Sequence, residues 1–297
     1  MPDANIANIF KEKAGPLLSY EFFPPKTEKG YANLTNVIDV LGDTAPDFVT
    51  VTYGAGGSTQ TKTLDVCATL KQADFGPVMP HLTCVGSTRD ELEEIAHKIY
   101  DAGYRNIMTL RGDPPGGEAE FVPPADGLGN ARDLVRLLRS LHDDFCCGVA
   151  GYPETHPEAI SVDDEMAYLK EKVDAGASFI TTQLFFDNDH YYRFVDRCAS
   201  VGIEVPILPG VLPASSLKQL TRFTSLCGAS LPHDLQAQLE AAGGEGDTVI
   251  EIGIEWCVSQ IEDLLASGAP GIHLYILNQA RPALQRRLVQ VFQQYLG

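Results

Sequence analysis

Eight short runs of apolar, β-branched-rich residues recur along the chain, and nearly every one ends in a small cluster of polar residues or glycine. The ends fall at Glu21, Thr52 to Gly54, His81 to Thr83, Arg111 to Asp113, Tyr152, Gln183, Gly210 and Tyr275 to Asn278. Runs that are apolar throughout suit parallel strands covered on both faces. In a closed ring of eight such strands the chemistry gathers at the strand ends. Strands are expected at about 17–23, 47–53, 78–84, 106–111, 146–151, 178–185, 206–211 and 271–276. Most recur at roughly the 30-residue spacing of a βα unit. The predicted fold class is therefore α/β, a (β/α)8 TIM barrel with extra helices. With 297 residues and 44% hydrophobic content, residues 1–297 are expected to form a single domain around one large core.

The intervening stretches carry helix boundary signals. Thr88 followed by Glu91 is a capping-box pattern, and Ser161 followed by Asp164 is a weaker start signal. Gly103, Gly176, Gly202 and Gly268 each close a helical pattern just before a strand, as a left-handed C-terminal cap requires. These short αβ turns leave the long loops at the other end of the barrel. The segment 112–129, rich in Pro and Gly, has no helix pattern and is read as a functional loop.

Charge and cysteine content exclude whole classes of partner. The balance of 22 basic against 40 acidic residues gives a net charge of -18, which disfavours nucleic acid and anionic membrane surfaces. A small molecule is the expected partner. Seven cysteines without a Cys-x-x-Cys pair point to buried thiols in a reducing cytoplasm. Residues 1–15 hold no unbroken apolar stretch, and no later run reaches membrane-spanning length, so a cytoplasmic protein is expected.

Strand alternation sorts the polar residues. A side-chain period of two puts Ser19, Glu21 and Phe23 on one face, and likewise Thr50 with Thr52, His81 with Thr83, Arg111 with Asp113, and Thr181 with Gln183. If these faces point inward, one cavity receives Glu21, Thr52, His81, Asp113 and Gln183. A lone acid at a strand end is usually structural, and convergence is what raises Glu21 to first candidate for a general acid. Phe22, Phe23 and Pro24 would desolvate its carboxyl and raise its pKa.

Other motifs carry less. Gly54 to Thr59 resembles a dinucleotide fingerprint but lacks a ribose-binding acid, and reads as a βα loop that approaches a ligand closely. Arg111-Gly112-Asp113 has no adhesive use inside a cell, and its bland alternative is an arginine paired to a nearby carboxylate. His81 lacks a second histidine at ligand spacing, so no metal site is expected. Lys26 follows two prolines in a loop and is a poor Schiff-base candidate. Trp256 is expected to fill core or interface.

Six strings in register carry a family resemblance. They are Ser19 to Lys26, Val51 to Gly57, His81 to Cys84, Leu110 to Pro114, Gly151 to Glu154 with His156 to Glu158, and Thr182 to Asp187. Together they resemble methylenetetrahydrofolate reductase over about residues 17–295. The resemblance implies a barrel that binds FAD, takes hydride from NADH or NADPH, and reduces 5,10-methylenetetrahydrofolate to 5-methyltetrahydrofolate by ping-pong kinetics. Glu21 would be the acid that protonates folate N10, with Asp113 tuning the electrostatics of flavin and pterin. Gln183, Phe223, Tyr275 and Gln279 would meet substrate. Thr52, Tyr53, His81, Arg111, Gly112 and Asp113 would surround FAD. So would Asn130, Ala131, Ala150, Tyr152, His156, Glu165 and Lys172, with Arg111, His156 and Lys172 suited to its pyrophosphate. A homo-oligomer is implied as well.

The chain departs from the family pattern at three positions. Gln279 stands where an arginine is usual, Asn130 where a tyrosine is common, and Glu165 where an aspartate is common. No S-adenosylmethionine-binding regulatory region is expected after Gly297. Two other classes stay open on the residues alone: a metal-dependent or Schiff-base lyase, and a barrel that binds a pterin or flavin without catalysis.

Overall fold

The computed structural model describes residues 2–53, 60–114 and 121–295. The expected ligand-approaching loop from Gly54 to Thr59 lies outside the described residues, as does the middle of the long irregular segment, 115–120. Among the described residues, strands β1 (Leu17–Phe22), β2 (Phe48–Val51), β3 (Val78–Thr83), β4 (Asn106–Leu110), β5 (Cys146–Gly151), β6 (Ala177–Thr182), β7 (Ile207–Leu208), β8 (Gly210–Val211) and β9 (Gly271–Leu274) follow in chain order. Helix α1 (Ile6–Glu12) precedes them, and α2 (Glu28–Leu41), α3 (Gln60–Gln72), α4 (Arg89–Asp101), α5 (Ala131–Leu141), α6 (Val162–Asp174) and α7 (Asn188–Ser200) lie between them. After β8 come α8 (Leu217–Cys227), α9 (His233–Ala241) and α10 (Asp247–Ala266), and α11 (Pro282–Gln293) follows β9.

All strand pairs are parallel, in the order β7-β6-β5-β4-β3-β2-β1-β9-β8. β7 pairs with β6 and β8 pairs with β9, so the two dipeptides on either side of Pro209 together form the seventh stave and nearly close the ring. The single strand expected at 206–211 is thus split. Pro209 has no N–H to give to a ladder, although its carbonyl still accepts from the His273 N–H at 2.9 Å. Several expected strands also stop sooner, and Gln183 to Phe185 belong to a loop.

The boundary signals act as their chemistry requires. Thr88 and Glu91 form a reciprocal capping box, and Ser161 accepts from the Asp164 N–H. The four αβ glycines have φ of +89°, +113°, +74° and +88°. On α4 the apolar residues Leu92, Ile95, Ala96 and Ile99 repeat at helical spacing and face the sheet. A fully buried leucine or isoleucine such as Leu92 or Ile99 contributes about 1.5–3 kcal/mol.

Three apolar layers result. The largest lies between strands and outer helices, a second links α8, α9 and α10, and a third fills the barrel floor. The floor packs Phe48, Met79, Met108 and Phe179 under α1, whose Ile6 is fully buried and whose Phe10 ring lies 5.3 Å from that of Phe179. Asn106 pins this helix, accepting from the Ile6 N–H at 2.8 Å and donating to the Ala4 carbonyl at 2.9 Å. With the floor sealed by these side chains, the barrel opens at the strand C-termini.

Candidate active site

A cavity of about 770 Å³ opens there, within the roughly 300–1,000 Å³ usual for small-molecule and cofactor sites. It gathers the expected residues from nearly the whole ring: Glu21, Thr52, Tyr53, His81, Arg111, Gly112 and Asp113 from the first four staves, then Asn130, Ala131, Ala150, Tyr152, His156, Glu165 and Lys172. Gln183, Phe223 and Tyr275 complete it. Gln279 does not line the cavity: its side chain accepts from Arg281 at 3.1 Å on an exposed turn.

Glu21 stands between two histidines. Its carboxylate lies 3.5 Å from His81 Nε2 and 3.7 Å from His273 Nε2, and 20% of its side chain remains accessible from the cavity. These spacings are long for hydrogen bonds but short for Coulombic attraction. Burial pushes the Glu21 carboxyl upward, yet His273, His81 and the Thr50 hydroxyl outweigh it and hold the carboxyl below its ordinary value. This corrects the expectation of a raised pKa. The expected apolar wall is also absent: Phe22 points outward to Phe75, with ring centroids 6.2 Å apart, and Phe23 is 39% exposed. Burial lowers His81 to about 4, opposed by Glu21, so its ring is neutral at pH 7.

His273 went unnoticed in the sequence, although it lies two residues before Tyr275, which follows β9 directly. Its Nδ1 meets the Ser19 hydroxyl at 2.8 Å, which leaves Nε2 toward Glu21. The Tyr275 ring stands at 90° to it, and the Tyr275 hydroxyl donates to the Thr182 carbonyl at 2.7 Å. Gly210 permits that contact, because a Cβ there would lie 2.3 Å from the Thr182 oxygen and 2.6 Å from the Tyr275 ring.

The opposite side of the ring is cationic. Lys172 is 6% exposed and donates to the Ala150 carbonyl at 2.6 Å; burial lowers it to about 8, opposed by Glu165. Arg111 is paired twice with Glu158, at 2.6 and 3.1 Å, realising the bland alternative for the Arg111-Gly112-Asp113 string. His156 sits edge-on to Tyr152, and its N–H is held at 3.0 Å by Glu165, whose own carboxyl burial raises. Asn130 serves as N-cap of α5, accepting from the Asp133 N–H at 2.9 Å. The wall beside it is shallow, made of Gly112, Gly129, Ala131 and Ala150. At Gly112, with φ of +88°, a Cβ would lie 2.7 Å from Val85.

Thr50 Oγ1, Thr181 Oγ1, His81 Nε2 and His273 Nε2 are buried without a hydrogen bond of ordinary length, the two imidazole nitrogens facing the Glu21 carboxylate. Buried polar groups are normally satisfied, and here the Glu21 carboxylate compensates the Thr50 hydroxyl and the two imidazoles. Among the described residues, no group of three or more His, Cys, Asp and Glu side chains is placed to hold a metal ion. No described helix is long and apolar enough to cross a membrane.

A family model described as methylenetetrahydrofolate reductase matches residues 6–286. The chain belongs to the methylenetetrahydrofolate reductase family. It is 39% identical over 283 residues to methylenetetrahydrofolate reductase (NADH) 1 of Arabidopsis thaliana, covering 92% of this chain and 48% of that protein. It is 41% identical over 265 residues to 5,10-methylenetetrahydrofolate reductase of Salmonella typhimurium, covering 89% of this chain and 86% of that one. The chain thus spans about half the length of the plant methylenetetrahydrofolate reductases it matches. Its fold is also that of an uncharacterized protein from Clostridium thermocellum that binds two copies of 5-methyl-5,6,7,8-tetrahydrofolic acid. That likeness has a TM-score of 0.66 at 18% identity and covers 97% and 98% of the two chains. Within the methylenetetrahydrofolate reductase family, then, this chain brings a strand-end carboxylate, a buried lysine and a shallow wall to one cavity.

Proposed function

We propose that the protein reduces 5,10-methylenetetrahydrofolate to 5-methyltetrahydrofolate, with FAD as cofactor and NADH or NADPH as reductant. The observation that carries this reading is Glu21, an accessible carboxylate set between two imidazoles in a cavity that is also lined by the buried cation Lys172. The cavity fits FAD in kind: shallow at Gly112, Gly129, Ala131 and Ala150, and cationic at Lys172 and Arg111. The chemistry that bound FAD supplies is storage of a hydride between nicotinamide and folate, which gives ping-pong kinetics.

The chain's own residues do the rest. Lys172, Arg111 and His156 would hold the pyrophosphate of FAD, while Thr52, Tyr53, His81, Asn130, Tyr152 and Glu165 would supply polar contacts to it. Asp113 and Gln183 orient the pterin, with Phe223 and Tyr275 as walls. Glu21 rests as a carboxylate, so it must gain a proton before it can act. Folate in the cavity excludes water and strengthens the desolvation that already pushes this carboxyl upward. The protonated carboxyl then donates to N10, and the five-membered ring opens to an iminium at the methylene carbon.

Apoprotein reconstituted with FAD tests the reading. NADH and NADPH are offered separately, then methylenetetrahydrofolate, and the flavin absorbance is followed in each half-reaction. Glu21→Gln should leave reduction by nucleotide intact and slow reoxidation by the folate about 10²- to 10⁴-fold, the usual contribution of a general acid. A protein that takes up no FAD, or a variant that loses both halves equally, overturns it.

A further inference from the structure

Beyond Glu21, the end of β1 keeps a strand partner on one side only. β1 runs beside β2 as far as Phe22 and Val51, and the Thr52 N–H donates to the Phe22 carbonyl at 2.9 Å. On the other side its register with β9 stops at Tyr20 and Leu274. There the chain swings toward β8, with the Tyr275 N–H donating to the Val211 carbonyl at 3.0 Å. It then makes a tight left-handed turn, with φ of +52° at Leu277 and +51° at Asn278. Leucine adopts that conformation at a cost and asparagine more readily, so two such residues in succession persist only where their surroundings hold them.

What holds them is the Asn278 carboxamide. Its Oδ1 accepts from the Phe23 N–H at 3.1 Å and its Nδ2 donates to the Phe23 carbonyl at 2.7 Å. The Asn278 carbonyl accepts from Asn33 of α2 at 3.0 Å, and the residue is 5% exposed. A planar amide with one donor and one acceptor mimics a peptide group. The side chain therefore continues the ladder that β9 abandons, and it does so two residues beyond Glu21.

We propose that Asn278 is a positioning residue: its amide clamps the Phe23 peptide and so holds the Glu21 carboxylate between His81 and His273. The proposal rests on the reading of Glu21 as the acid. Spacings of 3.5 and 3.7 Å on two sides leave little room for drift. A strand end released from one side would move the carboxylate off the reacting nitrogen, whereas the nucleotide-side reaction needs no proton from Glu21.

Two substitutions separate the clamp from the turn. Asn278→Gly keeps the left-handed turn and removes the amide, while Asn278→Asp keeps the acceptor for the Phe23 N–H and loses the donor. Asn278→Gly should slow the folate half-reaction by about tenfold to about 100-fold and shift its pH profile, the cost of misplacing a reacting group by about 1 Å. Its nucleotide half-reaction should stay within about twofold of the parent, and Asn278→Asp should fall between the two. Hydrogen exchange at the Phe23 amide in flavin-free protein should be faster in Asn278→Gly and remain protected in Asn278→Asp, which also carries the test if the glycine variant does not fold. Equal slowing of both halves, a parent-like folate rate, or unchanged exchange at Phe23 in the glycine variant overturns the clamp. If instead Glu21→Gln keeps its folate rate, the acid assignment fails, and that result is read on a different protein.

Discussion

Arg111 and Glu158 are joined by two hydrogen bonds, of 2.6 and 3.1 Å, at the exposed rim of the cavity. The guanidinium best placed to meet an anionic cofactor is thus already occupied by a carboxylate from the loop after β5. Such a pair, half open to water, is worth about 0–1 kcal/mol and exchanges readily.

An anion that takes the same fork of Arg111 displaces Glu158. Glu158→Gln is therefore expected to speed FAD association with the apoprotein about two- to fivefold, as loss of so weak a competitor allows. Arg111→Ala should slow association. Stopped-flow quenching of flavin fluorescence reads both, and slower association in Glu158→Gln would show that Glu158 presents the guanidinium instead of competing for it.

Lys172 makes cofactor affinity depend on pH. Its amine titrates near 8, below its ordinary value, because burial disfavours the charged form. The charge is present below that pH and lost above it, so affinity for FAD should fall as pH rises from 7 to 9. Lys172→Met should bind more weakly and without that slope. Unfolding restores the ordinary value, so the unfolded chain binds more protons between the two and stability rises with pH across that window. Fluorescence titrations at pH 7 and 9 check the affinity.

His81 sets an acid limit. Burial holds its ring near 4, against an ordinary 6.5, so between these values the unfolded chain takes a proton that the folded one refuses. Stability should fall as pH drops through this range, by on the order of 3 kcal/mol in all. His81→Asn should flatten the decline. Urea midpoints at pH 7 and 5 for both proteins decide it, and parallel declines would contradict the assignment.

Gly210 leaves no room for a side chain. Its would-be Cβ lies 2.3 Å from the Thr182 carbonyl oxygen, which is backbone and cannot swing aside. Gly210→Ala should cost about 3 kcal/mol, the upper end of overpacking penalties, and disturb the Tyr275 hydroxyl bond to the same oxygen. A urea midpoint within error of the parent would count against this.

Local signals carried much of the fold into view, and their reach explains what was missed. Glycine caps, the Thr88 capping box and unbroken apolar runs act over a few residues, so they show directly in the sequence. Alternation then aimed Glu21, Thr52 and His81 into the cavity correctly. The split at Pro209 also had a visible cause, a residue without an N–H inside a strand. The fork at Glu21 did not. Ser19 and His273 touch across 254 positions because the ring closes its first strand on its last, and no local pattern reports that neighbour. Arg111 and Glu158 meet across 47 positions because they follow the neighbouring staves β4 and β5. The sign of the Glu21 shift therefore depended first on His273, a partner invisible along the chain.

The helix beneath the barrel floor has a consequence in time. Asn106, which accepts from the Ile6 N–H, lies 100 positions further on, and Phe179, which receives Phe10, lies further still. This helix is thus synthesised well before the residues that seat it. Until the fourth and sixth strands emerge, its apolar side and the open underside of the growing ring are both exposed, and a nascent chain arrested between those points is the form most in need of a chaperone.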